Sequence, residues 1–227
     1  MNPPPLLLRA DDILRGRAWE RSFAQPARTV ALLVAMVIVF GCLYGALMGT
    51  FAGVLGDRML QVIYSAIKVP LLLIVTFLIS LPSFFVLNTL LGVRGDFPYV
   101  LRSLLTTQAG LTVILASLSP FTLLWYASVA NYDAAILFNA LMFAVASVTA
   151  QVLLYRYYRP LIARRPVHAR LFRIWLLLYA FVGVQMAWTL RPFIGNPTGA
   201  VQFFRAGAWG NAYVELVKIA ARMFHGY

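Results

Sequence analysis

Long apolar runs, separated by short polar stretches that contain proline or glycine, dominate the chain. Five of these runs approach the roughly twenty residues that an α-helix needs to cross a bilayer. None shows the strict alternation of apolar and polar residues that is typical of a transmembrane β-strand. The pattern predicts an all-α polytopic membrane protein, a five-helix transmembrane bundle with spans at about 29–55, 69–91, 104–125, 134–154 and 174–190.

The segments on either side of the spans also carry helical signals. Residues 1–28 are predicted to be a cytoplasmic arm with a short surface helix that starts near Asp11 and Asp12, because aspartate favours helix starts. In residues 191–227 the polar side chains Glu215, Lys218 and Arg222 share one helical face. This spacing predicts an amphipathic helix in an extracytoplasmic tail, so that an interfacial helix flanks the bundle at both ends.

The start of the second span is marked by a lysine and a proline. Pro70 suits the first turn of a helix, where a backbone N–H has no helical partner. The helix would then begin at about Val69 and leave Lys68 at the water interface, with residues 60–67 lying along that interface.

Composition supports a membrane protein and orients it. The chain is 62% hydrophobic and 11% charged, whereas soluble domains are about 25% charged. The net charge of +12 would indicate a nucleic-acid partner in a soluble protein, but in a membrane protein it indicates basic cytoplasmic loops that face anionic lipid. With the amino terminus inside, thirteen basic residues fall on the cytoplasmic side and five outside. We therefore expect a cytoplasmic amino terminus, an extracytoplasmic carboxyl terminus and no nucleic-acid partner. The chain is compact and rich in arginine and shows no recognisable retention signal, which favours a bacterial inner membrane.

Glycine recurs every fourth residue along the first span. Such a row forms a smooth ridge that allows another helix to approach closely, and close packing drives helix association in lipid. The ridge is predicted to be either a packing face within the chain or an interface with a partner or second copy. It consists of Gly41, Gly45, Gly49 and Gly53.

Arginines cluster between the fourth and fifth spans. This segment is expected to be a loop that attracts anionic lipid headgroups, docks an acidic partner or simply sets the topology. Its candidate headgroup or partner ligands are Arg156, Arg159, Arg164, Arg165, Arg170 and Arg173.

Uncharged polar residues also occur at membrane depth. They are expected either to join helices by hydrogen bonds or to converge on a polar cavity. The candidates for such a cavity are Gln108, Thr112, Asn139, Gln151 and Gln185.

Catalytic and cofactor-binding patterns are missing from the sequence. No Asp, Glu, Arg or His falls at the centre of a predicted span, where proton-coupled carriers place ionisable groups. There is no GxSxG, HExxH or P-loop motif, and the single cysteine and two histidines give no metal-ligand spacing. We expect no enzymatic activity, no cofactor and no metal.

The five-span layout, the amino-terminal arm and the second span resemble the Yip1 family of membrane proteins. The second span reads KVPLLL at residues 68–73 and LPSFFVLN at residues 81–88, and the resemblance covers roughly residues 22–190. It implies a non-enzymatic membrane protein that works through protein partners, and it implies no catalytic residues.

Three functional hypotheses follow from these features. The first is a structural or accessory subunit, or scaffold, of a membrane complex that contacts other subunits or a second copy through the glycine ridge and the tail helix. The second is a transporter or channel for an uncharged or lipid-like substrate. The third is a lipid-binding or membrane-shaping protein that uses the surface helices and the arginine loop.

Overall fold

The computed structural model describes residues 5–15, 26–56, 58–197, 199–205 and 208–214. Those residues form α-helices joined by short turns, and five of the helices are long and apolar enough to cross a membrane. The predicted all-α class with a five-helix transmembrane bundle is therefore confirmed. The helices are α1 (Pro5–Leu14), α2 (Pro26–Gly49), α3 (Arg58–Leu90), α4 (Phe97–Ser128), α5 (Tyr132–Arg164) and α6 (Val167–Thr189).

Several helices are longer than the apolar runs that predict them. α3, α4 and α5 have 33, 32 and 33 residues, which at 1.5 Å per residue exceeds the roughly 30 Å of a hydrocarbon core. Polar and charged residues continue each helix past its apolar stretch, because backbone hydrogen bonds do not need apolar side chains. The predicted starts of the second and fifth spans and the end of the fourth therefore lie inside helices.

Short connections reverse the direction of the chain between consecutive spans, which gives the bundle two distinct ends. At one end, which we call the arginine end, α5 finishes at Arg164 and α6 begins at Val167. At the opposite end, which we call the tail end, α6 finishes at Thr189 and the described residues of segment 190–214 follow. We call this segment the tail.

Three of the four ridge glycines lie against α3 of the same chain. A Cβ atom added to Gly45 would stand 2.3 Å from the carbonyl oxygen of Ser65, and one added to Gly49 would stand 2.6 Å from the Cα of Val62. A Cβ atom added to Gly41 would stand 3.2 Å from the Cβ of Pro70. The backbones approach so closely only because glycine has no side chain, and the packing face of these residues is occupied within the chain.

Gly53 does not belong to this face. It follows the short 3₁₀ turn Thr50–Ala52, has a φ of 98°, and nothing lies within 4 Å of an added Cβ. A glycine is favoured here by the left-handed backbone that ends the helical segment.

The amino-terminal helix begins earlier than expected and packs against the bundle. Asp11 and Asp12 lie in its last turns and not at its start, and Asp11 pairs with Arg15 at 2.6 Å. Ile13 is fully buried, and the Tyr157 hydroxyl donates to its carbonyl at 2.9 Å. The apolar face of α1 therefore contacts α4 and α5. The predicted helical face of Glu215, Lys218 and Arg222 lies outside the described residues.

Candidate functional site: the charged ends of the bundle

The arginine cluster between the fourth and fifth spans is helical and not a loop. α5 runs on to Arg164 and α6 starts at Val167, so only residues 165 and 166 connect them. We call residues 156–173 the arginine hairpin. All six predicted arginines on it are exposed: Arg156, Arg159, Arg164, Arg165, Arg170 and Arg173.

The positive charge of the arginine hairpin is neutralised by few carboxylates. In the described part of the chain, the only ion pair formed by the six arginines joins Arg165 to Asp96, with a nitrogen–oxygen distance of 4.0 Å. Asp96 is shared with His168, whose Nε2 lies 3.0 Å from the same carboxylate oxygen. His168 is fully buried and Asp96 belongs to the turn before α4, so this contact ties α4 to the start of α6.

At the tail end, polar side chains of α3 hold the tail against the bundle. Lys68 is fully buried, its Nζ donates to the carbonyl of Pro192 at 2.7 Å and lies 4.8 Å from the centroid of the Phe203 ring. Ser65 donates to the carbonyl of Phe193. The expectation that Lys68 lies at the water interface outside a helix is therefore wrong, because α3 begins ten residues earlier, at Arg58.

Arg58 anchors the next part of the tail. Its guanidinium donates to three backbone carbonyls, those of Asn196 at 2.8 Å, Pro197 at 2.5 Å and Gly199 at 3.1 Å. A planar guanidinium with several donors suits such a set of converging carbonyl groups. Together with Lys68 and Ser65, it fixes the path of the tail over the end of the bundle.

A second basic group surrounds the ring of Trp188 at the end of α6. The Cζ atom of Arg191 lies 3.3 Å from the ring centroid and that of Arg205 lies 4.5 Å from it. Burial, and after it the charge of Arg205, lowers the pKa of the Arg191 guanidinium. We call Trp188, Arg191 and Arg205 the arginine–tryptophan cluster.

The five candidates for a polar cavity have different hydrogen-bond partners. Gln108 accepts from Tyr179 at 2.9 Å, Thr112 donates to the carbonyl of its neighbour Ala109, and Gln185 contacts the backbone of Gly210 and Ala212 in the tail. Gln151 has a buried Oε1 without a hydrogen-bond partner among the described residues. Within the described residues, no hydrogen bond joins any two of the five.

Asn139 is the centre of a network between α2, α4 and α5. Its amide donates to the Tyr126 hydroxyl at 2.7 Å, and its oxygen accepts from Tyr44 at 3.3 Å. Tyr44 also lies 3.4 Å from the Thr122 hydroxyl. This network joins three helices, which is the structural role that uncharged polar groups commonly have in membranes.

A small groove between α2, α3 and α4 touches only one of the polar candidates. It has a volume of about 120 Å³ and is lined by apolar side chains such as Leu33, Leu73 and Phe77, with Gln108 at its edge. Ligand pockets usually measure about 300–1,000 Å³. The groove therefore has room for a few apolar atoms and not for a lipid-sized substrate.

No group of three histidine, cysteine, aspartate or glutamate side chains arranged to hold a metal occurs within the described ranges. Comparison with family models, curated proteins and solved structures gives no match for this chain.

Two features of the tail end were not identified from the sequence. One is the burial of Lys68, which depends on the tail folding over α3. The other is the arginine–tryptophan cluster. The spacing of Trp188 and Arg191, three residues apart at a helix end, is a local signal for contact. Nothing in the sequence places Arg205 on the same ring.

Proposed function

We propose that this chain is a non-enzymatic, multi-pass membrane protein that binds anionic phospholipid headgroups through the arginine hairpin. The observation that carries this proposal is the exposure of all six hairpin arginines with a single carboxylate contact among the described residues. The proposal develops the hypothesis of a lipid-binding protein. The subunit hypothesis is weakened because Gly41, Gly45 and Gly49 are already packed against α3.

The position of the arginines supports headgroup contact. α5 is about 50 Å long, so its last turns extend past a hydrocarbon core of about 30 Å. The side chains of Arg156 and Arg159 leave the helix three residues apart, as do those of Arg170 and Arg173 on α6. Exposed basic side chains at this level attract anionic headgroups, and each basic residue near an anionic surface is worth about 1 kcal/mol.

The test compares lipid binding by the purified protein and by hairpin variants. The wild type and the quadruple variant Arg156→Gln, Arg159→Gln, Arg170→Gln, Arg173→Gln are placed in nanodiscs of phosphatidylcholine with increasing phosphatidylglycerol. Enrichment of phosphatidylglycerol around the protein is then measured by mass spectrometry after detergent extraction. We expect enrichment by the wild type that falls at least about tenfold in the variant and weakens in high salt, because exposed charges are screened.

The matched control replaces the same four arginines with lysine, which keeps the charge. Enrichment should be largely retained in the lysine variant, because attraction to an anionic surface depends mainly on charge. Equal enrichment in the wild type and the glutamine variant would refute the proposal, provided that both variants elute as the same species and melt at similar temperatures.

A second candidate function is that of an accessory subunit that packs through α6. Only 11% of the most apolar stretch of α6 is buried, compared with 44% for α3 and α4. Leu177, Phe181 and Val184 are exposed on α6, and one face of the Phe181 ring stacks on Tyr213 of the tail. A photo-crosslinker at Leu177 that captures one membrane protein in stoichiometric yield would favour this function, whereas lipid adducts alone would contradict it.

We also propose that the arginine end is cytoplasmic, with the tail end outside a bacterial inner membrane, and that the chain is related to the Yip1 family. The five-helix layout and the concentration of basic residues on the arginine hairpin support these proposals. The transporter hypothesis has the least support, because the polar candidates have separate hydrogen-bond partners.

A further inference from the structure

Two arginines on the ring of one tryptophan form an unusual concentration of positive charge at the tail end. The two guanidinium groups of the arginine–tryptophan cluster repel each other, yet both contact Trp188. In the described part of the chain neither has a carboxylate partner. The Lys68 ammonium adds to the charge, since it binds Pro192, next to Arg191, and contacts Phe203, two residues from Arg205.

The cluster also has hydrogen-bond donors without acceptors. Nη2 of Arg191, Nε of Arg205 and Nε1 of Trp188 are each buried and have no partner among the described residues. Among the described residues, the two arginines make one hydrogen bond, from Nε of Arg191 to the carbonyl of Trp188 at 3.5 Å. Leaving a buried donor unsatisfied is unfavourable, and more so for charged groups. Three such donors on neighbouring side chains indicate that an acceptor belongs there.

Helix capping explains only part of this arrangement. A cation at the carboxyl terminus of a helix is favoured by the helix dipole, and Arg191 stands two residues after the end of α6. The dipole does not explain the position of Arg205, which belongs to the tail and lies on the same tryptophan ring as Arg191. The second positive charge repels the first, and a bound negative charge would compensate both.

We propose that Arg191 and Arg205, held on the ring of Trp188, form a binding site for a phosphate-class oxyanion. Guanidinium groups donate two parallel hydrogen bonds to such oxygens, and both arginines are half-buried, so part of each remains accessible. The ligand is either the phosphate of a lipid headgroup or a free phosphate. This site uses different residues from the arginine hairpin, and it does not depend on the proposed function.

The experiment follows tryptophan fluorescence during titration with inorganic phosphate in detergent, at constant ionic strength maintained with chloride. The proteins are the wild type, Arg205→Gln, Trp188→Phe and Arg102→Gln. Arg102 lies on α4 outside both basic groups, so its variant controls for the loss of one positive charge. A lipid arm measures how much phosphatidylglycerol stays bound to the same proteins in native mass spectra, relative to phosphatidylcholine.

We expect a saturable fluorescence change in the wild type and in Arg102→Gln. The apparent Kd should rise at least about tenfold in Arg205→Gln, which corresponds to about 1.4 kcal/mol, and the signal should be lost in Trp188→Phe. Retention of phosphatidylglycerol that falls in Arg205→Gln but not in Arg102→Gln, without a response to inorganic phosphate, identifies a lipid headgroup as the ligand. Responses in both arms identify a site for the phosphate group itself.

The proposal is overturned if the wild type responds in neither arm, or if Arg205→Gln and Arg102→Gln behave alike in both. Melting temperatures in phosphate-free detergent show whether the variants are folded. If Arg205→Gln is unfolded, Arg205→Lys takes its place, and it should bind phosphate more weakly because lysine lacks the paired donors of arginine.

Discussion

The burial of Lys68 depends on contacts that only the folded tail provides. A buried ammonium group without a partner would be strongly unfavourable in a membrane protein. Here a backbone carbonyl accepts its hydrogen bond and an aromatic ring covers it. Both partners come from the tail, more than 120 residues away in sequence. The residue therefore joins α3 to the tail and does not mark a membrane boundary.

At the same scale, we predict that Gly45→Ala destabilises the bundle. The new Cβ would lie 2.3 Å from the carbonyl oxygen of Ser65, and backbone atoms cannot move aside as a flexible side chain does. Overpacking of this kind costs about 1–3 kcal/mol. Thermal unfolding in detergent, followed by loss of helical circular dichroism, should show a lower melting temperature.

Gly95→Ala is the matched control for this prediction. Nothing lies within 4 Å of a Cβ added at Gly95, and its φ is not positive. Its melting temperature should stay close to that of the wild type. If Gly45→Ala melted as Gly95→Ala does, the close contact of α2 with α3 would be absent in the protein.

At the scale of elements, the helices are longer than the apolar runs that predict them. The tail follows a defined path over the end of the bundle. α3 supplies most of the donors that hold the tail, from Arg58 in its first turn to Lys68 near its tenth residue. These donors act on backbone carbonyls, and side chains of the tail, such as Phe203 and Arg205, add contacts to the bundle. α6 is positioned mainly by α3 and α5, and the turn before α4 reaches it through Asp96 and His168.

We predict that Arg58→Gln loosens the tail without unfolding the bundle. The variant loses a guanidinium that binds three carbonyls, and glutamine is too short to replace it. Amide hydrogen exchange in residues 190–205 should become at least about tenfold faster, or about 1.4 kcal/mol in local stability. Exchange in α4 and α5 should be unchanged.

Arg102→Gln serves as the charge-matched control for the tail measurement, since it removes one arginine at the opposite end of the bundle. Unchanged exchange of the tail in Arg58→Gln would mean that the three hydrogen bonds do not hold it in place. Faster exchange in both variants would point to a general loss of stability.

At the scale of the whole molecule, the antiparallel spans separate the charged features into two layers. The arginine hairpin lies at one end, and Lys68 with the arginine–tryptophan cluster lies toward the other. Basic residues favour the cytoplasmic side, and the hairpin holds the largest exposed group of them in the described ranges. The proposed orientation follows from this difference.

We predict that a membrane-impermeant maleimide added to intact cells labels Ala130→Cys but not Ala163→Cys. Both alanines are exposed, Ala130 between α4 and α5 at the tail end and Ala163 on the arginine hairpin. Both variants are made in a Cys42→Ser background, which removes the single native thiol. After permeabilisation both positions should be labelled, and the reverse pattern in intact cells would invert the proposed orientation.

The sequence by itself determined the class of protein, the number of spans and their helical structure. Continuous apolar runs of about twenty residues have one stable solution in lipid, because a helix satisfies every backbone hydrogen bond within its own segment. The same runs do not define helix ends. α5 continues for ten residues beyond Leu154, the predicted end of its span, through residues that are polar but still form helices.

Only the tertiary structure decided which surfaces and charges meet. The sequence of a glycine ridge is the same whether the ridge packs on another chain or on a helix of its own chain. The contact of Gly45 with Ser65 shows that here it packs within the chain. Likewise, no local pattern brings Arg205 to the ring of Trp188 or the tail to Lys68. Lipid and protein interiors are similarly apolar, so hydropathy places a residue in the membrane but does not specify its neighbour.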